Sequence, residues 1–245
     1  MKPILKLNEL LSFYKSPSQA PVKDFKNWFP LFPSEKLAEL CGFLIGDGHI
    51  QPSPRWRIDF TSNNKVTLGY VNSLFFDLFE VSGKVRKCTT NKYNTCNLGV
   101  NCKPLARTLF LCGVPTGAKV KEKFLVPNWI LENKLFFRAF VRAYFSSEAV
   151  VDSYGKIMLE QWKLKENLSS GKKFMSQIIF GLKKHFGVYC GGPYIIKWQN
   201  KTKKGLTQAV RICIRRKNSL GKYVRLVGFV DKVKQSKAER LFGDY

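Results

Sequence analysis

Two carboxylates stand at the ends of apolar segments. Asp47 follows residues 40–46, which read Leu-Cys-Gly-Phe-Leu-Ile-Gly, and Glu148 follows residues 136–147. Hydrolysing a phosphodiester at neutral pH requires a water of lowered pKa and neutralised charge on the attacking and leaving oxygens, which closely spaced divalent ions supply. Carboxylate oxygens, together with the unpaired carbonyls at a helix C-terminus, favour such cations. We predict that Asp47 and Glu148 hold Mg²⁺, or Ca²⁺ or Mn²⁺ in its place, with carbonyl ligands from Gly46 and Ser147.

The two acids occupy equivalent places in an internal repeat. Superposing Asp47 on Glu148 gives an offset of 101 (148 − 47 = 101). Small residues then coincide at three pairs of positions: Ala38 with Ala139, Gly42 with Ala143, and Gly46 with Ser147. Small side chains at this spacing allow close helix contact, so the two apolar helices are predicted to pack on each other. The alternative is that both acids are polar residues in turns that end two core helices.

The elements around each acid repeat as well. The hydroxyl of Ser34 is suited to cap a helix over residues 35–46, and a second apolar helix is predicted over residues 134–147. Strands and amphipathic helices follow in the same order in each half, which predicts αββαββα twice and an α+β class. We divide the chain into an N-terminal extension containing Pro17 and Pro21 (1–33), a first half (34–128) and a second half (129–245). The closing helices differ in position by 115 residues (228 − 113 = 115), which places 14 extra residues in loops such as 199–207.

The composition favours a polyanionic partner. Lys and Arg number 42 against 17 Asp and Glu, a formal net charge of +25, which is typical of proteins that bind nucleic acid. The seven cysteines form no CxxC pair, so a structural zinc site is not expected. No signal peptide and no apolar run of membrane-spanning length is found, so we expect an intracellular protein with no membrane partner, in a prokaryotic cytoplasm or an organelle.

The segment around Asp47 and the segment around Glu148 resemble the two motifs of single-chain LAGLIDADG homing endonucleases. Residues 40–48 keep the helix and the terminal Gly-Asp-Gly, whereas residues 144–149, Tyr-Phe-Ser-Ser-Glu-Ala, resemble the family's Leu-Phe-Asp-Ala-Glu-Gly form with Ala149 in place of glycine. The resemblance covers residues 34–235. It implies a pseudo-twofold pair of αββαββα halves, with two four-stranded antiparallel sheets forming a DNA-binding saddle and the motif helices packed at its centre. It also implies metal-dependent cleavage of both strands of double-stranded DNA with short 3′ overhangs, by a monomer with internal pseudo-twofold symmetry.

Basic residues near the ends of the sheets are predicted to assist phosphodiester hydrolysis. Lys103 resembles the family's lysine that precedes the closing helix and reaches the metal-bound water or the phosphate. The offset of 115 places Asn218 at the equivalent position in the second half, which leaves Lys217 or Arg216 as its substitute. We choose Lys217 as the second basic catalytic residue. The offset of 101 also pairs Asp59 with Glu160, and Ser62 with Lys163.

The DNA-reading residues are predicted from strand alternation, because successive side chains point to opposite faces of a sheet. Arginine and glutamine can bind guanine and adenine edges in the major groove, whereas the alternative is an ordinary solvated face. The target is expected to be duplex DNA of roughly 20 base pairs, about two helical turns. The predicted DNA-binding residues are Arg55, Arg57, Asp59, Thr61, Lys84, Arg86, Lys197, Gln199, Arg211 and Arg215.

Two other functions remain open. An RNA-binding intron maturase could use the same fold, although acids at both motif ends argue against a pure maturase. A basic DNA-binding regulator would leave Glu148 unexplained. Because the chain begins with Met1 and ends Gly243-Asp244-Tyr245 rather than with splicing residues, we expect a free-standing protein encoded within an intron rather than an intein.

Overall fold

The computed structural model describes residues 2–14, 22–88 and 94–244, so Pro17 and Pro21 of the predicted extension lie outside it. The chain forms two compact units, Met1–Gly117 and Ala118–Tyr245. Residues 118–128 thus pack within the second unit, whereas the division of the repeat at residue 128 stays a prediction.

The first unit is built around a sheet of four antiparallel strands in the order β1-β2-β4-β3. Its helices and strands are α1 (Leu7–Leu11), 3₁₀ turns at Val22–Asp24 and Lys26–Trp28, α2 (Glu35–Gly46), β1 (Gly48–Ile50), β2 (Ile58–Ser62), α3 (Lys65–Phe79), β3 (Lys84–Lys87), β4 (Cys96–Val100) and α4 (Lys103–Leu111). The helices bury one face of the sheet. The ring of Phe43 in α2, for example, meets that of Phe60 in β2 at 5.9 Å.

The second unit has the same arrangement, with strand order β5-β6-β8-β7. Its elements are α5 (Asn128–Leu131), α6 (Lys134–Glu148), β5 (Ala149–Asp152), β6 (Lys156–Leu164), a 3₁₀ turn at Lys165–Asn167, α7 (Leu168–Phe186), β7 (Gly191–Thr202), β8 (Gly205–Ile214), α8 (Lys217–Leu226) and α9 (Lys232–Phe242). The predicted α+β class, with two four-stranded antiparallel sheets, is confirmed. The sequence patterns did not indicate α5 or α9.

The helix boundaries follow local capping chemistry. Ser34 Oγ accepts the N–H of Leu37 at 3.2 Å, as predicted for the start of α2. Asn133 caps α6 in the same way, accepting the N–H groups of Leu135 and Phe136. Side-chain oxygens at these positions satisfy amide groups that have no partner within the helix, which explains why both motif helices begin where the sequence predicts.

Strand pairing corrects the predicted correspondence between the halves. Gly48 pairs with Phe60 in the first unit, and Ala149 pairs with Leu159 in the second. The first pair is twelve residues apart (60 − 48 = 12) and the second is ten apart (159 − 149 = 10). The second hairpin is therefore two residues shorter, so Glu160 corresponds to Thr61 and the predicted pairings of Asp59 with Glu160 and of Ser62 with Lys163 are wrong.

Two further predictions about strands are wrong. Strand β2 begins at Ile58 rather than at Arg55, because Arg55 lies in a turn and Trp56 takes a left-handed backbone conformation with φ 47°. The extra residues of the second half do not form a loop at 199–207. Part of them lengthens β7 (Gly191–Thr202) and β8 (Gly205–Ile214), and part lies before β7, in the 3₁₀ turn Lys165–Asn167 and in α7, which has 19 residues against 15 in α3.

Candidate functional site

Asp47 lies where α2 gives way to β1. It is the C-cap of α2, its N–H donates to the carbonyl of Phe43, and its side chain is exposed. The next residue must be small, because a Cβ on Gly48 would lie 2.6 Å from the Cα of Leu44. The Gly-Asp-Gly sequence therefore presents a carboxylate at the negative end of a helix without steric conflict.

Glu148 occupies the corresponding place in the second unit. It is the last residue of α6 and is half-buried, and β5 begins at the following residue. That residue, Ala149, has φ −83° and ψ 147°, an extended conformation open to any L-amino acid. The Cβ of Ala149 is accommodated at this position, whereas a Cβ on Gly48 would meet the Cα of Leu44.

A lysine from α9 reaches the end of α6. Lys234 Nζ donates to the carbonyl of Ser146 at 2.5 Å and lies 3.4 Å from the carbonyl of Ser147. The hydroxyl of Ser146 also accepts the N–H of Val230 at 2.8 Å and that of Asp231 at 3.2 Å. The Ser147 carbonyl, predicted as a metal ligand, thus already faces an ammonium group. Sequence patterns pointed to none of this, because Lys234 is separated from α6 by more than 80 residues.

Polar residues surround a cleft of about 560 Å³ in the first unit. The cleft is lined by Gln51, Pro54, Arg55, Trp56, Arg57, Asn101 and Lys103. Lys103 is the first residue of α4 and is exposed. The structure therefore brings three predicted residues together, Arg55, Arg57 and Lys103. It adds Gln51 and Asn101, which alternation within predicted strands could not identify because both lie outside the strands.

Two neighbours, Asp59 and Gly99, hold Arg57 in place. Its guanidinium is 2.9 Å from Asp59 Oδ1, while Asp59 Oδ2 accepts from Gln51 Nε2 at 2.7 Å. The guanidinium also lies against the backbone of Gly99, where a Cβ would be 2.6 Å from Arg57 Nη2. The glycine and the carboxylate together orient the donors of Arg57 before any ligand binds.

The register of the first sheet places the other predicted residues on one face, here called the first open face. Asp59 pairs with Gly99 and Thr61 with Asn97, and β3 brings Lys84 opposite Gly99 and Arg86 opposite Asn97. Paired residues of antiparallel strands point to the same side, away from the buried Ile58, Phe60 and Leu98. Asn97, which donates to Thr61 Oγ1 at 3.1 Å, belongs to this face and was not predicted.

The second sheet has an equivalent second open face, opposite the side that α7 covers. Arg211 pairs with Glu160 in the ladder, and its guanidinium binds the Glu160 carboxylate, with Nε 2.6 Å from Oε1. Arg215 is four residues after Arg211 and directly follows the end of β8, so strand alternation places it on the same side. Gln199 departs from the prediction, because it pairs with Gln208, which pairs with the buried Lys163 on the helix-covered side. Lys197 lies in an irregular stretch between Ile195 and Gln199.

Comparisons with known proteins identify the fold. No family model matches the sequence. Several solved structures have a similar fold. Full-length DUF199/WhiA from Thermatoga maritima has a TM-score of 0.54 at 14% identity, and the match covers 87% of this chain and 62% of that one. The N-terminal LAGLIDADG domain of DUF199/WhiA has a TM-score of 0.51 at 15% identity, covering 89% and 93%. I-DmoI in complex with DNA and Mn has a TM-score of 0.51 at 16% identity, covering 79% and 96%.

The chain has the LAGLIDADG fold.

Curated relatives match only through a small part of their own length. The chain is 26% identical over 214 residues to the glutamine–fructose-6-phosphate aminotransferase of Methanocaldococcus jannaschii, covering 87% of this chain and 18% of that protein. A 25% identical segment of 173 residues occurs in the tRNA-splicing ligase RtcB of Methanopyrus kandleri, covering 62% and 17%. The small chain of replication factor C from Methanocaldococcus jannaschii is 29% identical over 147 residues, covering 56% and 8%.

Strand pairing and the starts of α4 and α8 make Lys217 the positional counterpart of Lys103. Val100 pairs with Ile58 at the end of β4, and Ile214 pairs with Ile157 at the end of β8. Each is followed three residues later by the first residue of a helix, Lys103 in α4 and Lys217 in α8. The predicted placement of Asn218 at this position is therefore wrong by one residue, and both units carry an exposed lysine there.

Lys163 has a structural role in this fold. It is fully buried, and Nζ donates to the carbonyls of Lys119 at 2.7 Å and Glu122 at 2.6 Å. The ring of Phe124 lies 3.9 Å from Nζ. Burial lowers the pKa of Lys163 to about 8, against a raising effect of the Glu122 carboxylate. The residue thus ties segment 118–124 to β6 and does not reach the second open face.

The donor atoms at each acid, taken separately within its own unit, suit a hard divalent ion. The carboxylates of Asp47 and Glu148 and the carbonyl of Gly46 are oxygen donors, the type that Mg²⁺, Ca²⁺ and Mn²⁺ prefer. The carbonyl of Ser147 fits less well because of Lys234. Among the residues described, no group of three or more His, Cys, Asp and Glu side chains is close enough to bind a metal by itself. No helix within the described ranges is long and apolar enough to cross a membrane.

Proposed function

We propose that this chain is a site-specific endonuclease that hydrolyses both strands of duplex DNA with the help of divalent cations. One repeated observation carries the proposal: each unit ends its motif helix in a carboxylate, Asp47 or Glu148, immediately before a sheet whose open face carries arginine or lysine. A merely structural helix end has no need of an acid at both equivalent positions in a chain of net charge +25.

The comparisons support this choice without deciding it. I-DmoI is described as a homing endonuclease, and its structures include complexes with DNA and Ca and with DNA and Mn. At 14–16% identity the likeness carries the fold alone. Segments similar to this chain also lie within archaeal proteins as different as an aminotransferase, a tRNA ligase and a replication factor. These segments lie within the polypeptides themselves, so the distribution suits a mobile module inserted in frame into unrelated proteins. It supports homing but not the expected location within an intron.

Different residues of the chain would bind the metal, assist hydrolysis and bind the DNA. Asp47 and Glu148 would hold Mg²⁺, which supplies an activated water and neutralises charge on the phosphate. Lys103 and Lys217 would each donate a proton near one scissile phosphate or stabilise its negative charge. The open faces would bind base edges and backbone through Arg57, Arg211 and their neighbours.

The oligomeric state, the target length and the form of the cut ends are taken from the resemblance to LAGLIDADG homing endonucleases. We propose a monomer that contacts roughly 20 base pairs, about two helical turns, and leaves short 3′ overhangs. A metal ion at the Ser147 carbonyl would have to displace the ammonium group of Lys234, which already contacts the end of α6.

DNA binding without cleavage is the second candidate. It is favoured by the similarity to the N-terminal LAGLIDADG domain of DUF199/WhiA, which at a TM-score of 0.51 over 89% of this chain matches the fold as well as I-DmoI does. The two candidates make the same prediction for duplex binding and opposite predictions for hydrolysis, so cleavage assays separate them.

The test begins with selection of cleaved sequences from a library of long random duplexes in Mg²⁺. Asp47→Asn and Glu148→Gln are then assayed on the selected target in a supercoiled plasmid. Each should abolish double-strand cleavage while duplex affinity in Ca²⁺ stays within about tenfold, because the acids bind metal rather than bases.

Asp77→Asn is the matched control, since Asp77 is a surface carboxylate paired with Lys36 at 2.8 Å. It should cleave at the wild-type rate. Full cleavage by Asp47→Asn or Glu148→Gln would contradict the metal assignment. Duplex binding by the wild type with no cleavage in Mg²⁺ or Mn²⁺ would establish the second candidate.

A further inference from the structure

The hairpin formed by β7 and β8, residues 191–214, exposes aromatic rings among lysines. Trp198 is 63% exposed and Tyr194 is 50% exposed. The same stretch contains no acidic residue. Its exposed cations are Lys197, Lys201, Lys203 and Lys204. Large exposed rings are unfavourable in water, so a cluster of them marks a surface that a partner covers.

The rings lie on the second open face. Tyr194 pairs with Arg211 in the ladder, which sets its side. Trp198 meets Trp162 of β6 with ring centres 5.4 Å apart and planes at 89°, and Trp162 shares the alternation of Glu160. An edge-on contact supports the indole of Trp198 while its exposed fraction leaves ring surface available for stacking.

A basic cleft continues this surface at the other end of β7. It has a volume of about 250 Å³ and is lined by Tyr189, Cys190, Gly191, Tyr194, Arg215 and Arg216. The guanidinium of Arg216 lies 5.6 Å from the ring centre of Tyr189. Aromatic rings and positive charges thus alternate from Trp198 through Tyr194 to Arg216.

We propose that this surface binds unpaired nucleotides of a single nucleic-acid strand, with bases stacked on Trp198 and Tyr194 and phosphates bound by the surrounding lysines and arginines. Stacked aromatic residues in a positively charged groove are the usual means of binding single strands. An apolar protein partner would bury the lysines unpaired. An intact duplex offers no base face to the rings without unstacking. The proposal involves neither Asp47 nor Glu148, but it shares the second open face with the duplex contacts proposed for Arg211, so an unpaired strand and the duplex target should compete for this face.

The experiment measures binding of the full chain to labelled oligonucleotides of 15 thymidines, of 15 uridines, and of a random duplex of equal length, without divalent ions. Trp198→Ala should weaken single-strand binding about tenfold or more and duplex binding less than threefold, whereas Trp198→Phe should remain within about threefold of the wild type. The thymidine and uridine arms show whether DNA or RNA is preferred. A strand in which the bases are replaced by abasic sites should bind wild type and Trp198→Ala equally.

Tyr154→Ala is the matched control, because Tyr154 is 93% exposed in the turn after β5 and lies outside the hairpin. It should bind both ligands like the wild type. A triple variant of Lys201, Lys203 and Lys204 to Gln should make the single-strand salt slope shallower by about 2. Equal loss of single-strand and duplex binding by Trp198→Ala, or no loss at all, would overturn the proposal, as would undiminished wild-type binding to the abasic strand.

Discussion

The ammonium of Lys234 in α9 donates to the main-chain carbonyl of Ser146 at 2.5 Å, two residues before Glu148. A positive charge at a helix C-terminus interacts favourably with the helix dipole and satisfies a carbonyl that has no partner within the helix. Lys234 therefore stabilises the part of α6 that carries the proposed metal-binding acid.

Replacing Lys234 by Met should lower the free energy of unfolding by about 1–2 kcal/mol, because a charged hydrogen bond to a partly buried carbonyl is lost. Urea denaturation measures this change. Lys232→Met, at an exposed position in the first turn of α9, should change stability by less than about 0.5 kcal/mol. Equal effects of both substitutions would show that Lys234 contributes only surface charge.

Gly99 should be intolerant of a side chain because Arg57 lies against it. A methyl group at Gly99 would displace the Arg57 guanidinium, so Gly99→Ala should weaken specific duplex binding about tenfold while the fold is retained, as judged by circular dichroism.

Gly69→Ala is the control, since a Cβ there meets nothing within 4 Å and the residue lies in α3. It should leave DNA binding unchanged and raise stability by about 0.5–1 kcal/mol, because alanine is the better helix former. Unchanged specific binding by Gly99→Ala would mean that Arg57 does not contact the target.

Lys103 and Lys217 should act on one strand each, since they hold equivalent positions in the two units. Lys103→Ala and Lys217→Ala should each slow cleavage of one strand about 10²-fold and cause nicked plasmid to accumulate. A time course of supercoiled, nicked and linear plasmid measures the effect. Asn218→Ala should behave like the wild type, and accumulation of nicks in that variant would favour the displaced alignment.

The buried Lys163 should make stability depend on pH. Its pKa in the folded chain is about 8, below the ordinary value of 10.5, so between these pH values the unfolded chain binds more protons. The stabilisation of the wild type relative to Lys163→Met should therefore rise from pH 8 to pH 10 by up to about 1 kcal/mol per unit, and should be constant below pH 7. Urea unfolding at several pH values tests this, with the exposed Lys165→Met as control; a difference that does not vary with pH would be the contrary result.

The sequence by itself determined the helices and the acids at their ends. Helical periodicity and capping are local, so Ser34 located the start of α2, and the apolar run before Glu148 located α6. The repeat likewise predicted αββαββα order in each half, because that order can be read from spacing. The two four-stranded antiparallel sheets were implied by the family resemblance.

Tertiary structure decided the relations between distant residues. A constant offset cannot follow a hairpin shortened by two residues, so only strand pairing matched Thr61 with Glu160. Strand pairing also changed the offset of 115 by one residue, which makes Lys217 rather than Asn218 the equivalent of Lys103. The contact of Lys234 with Ser146 and the burial of Lys163 depend on packing between segments far apart in the chain, which leaves no periodic signal in the residues themselves.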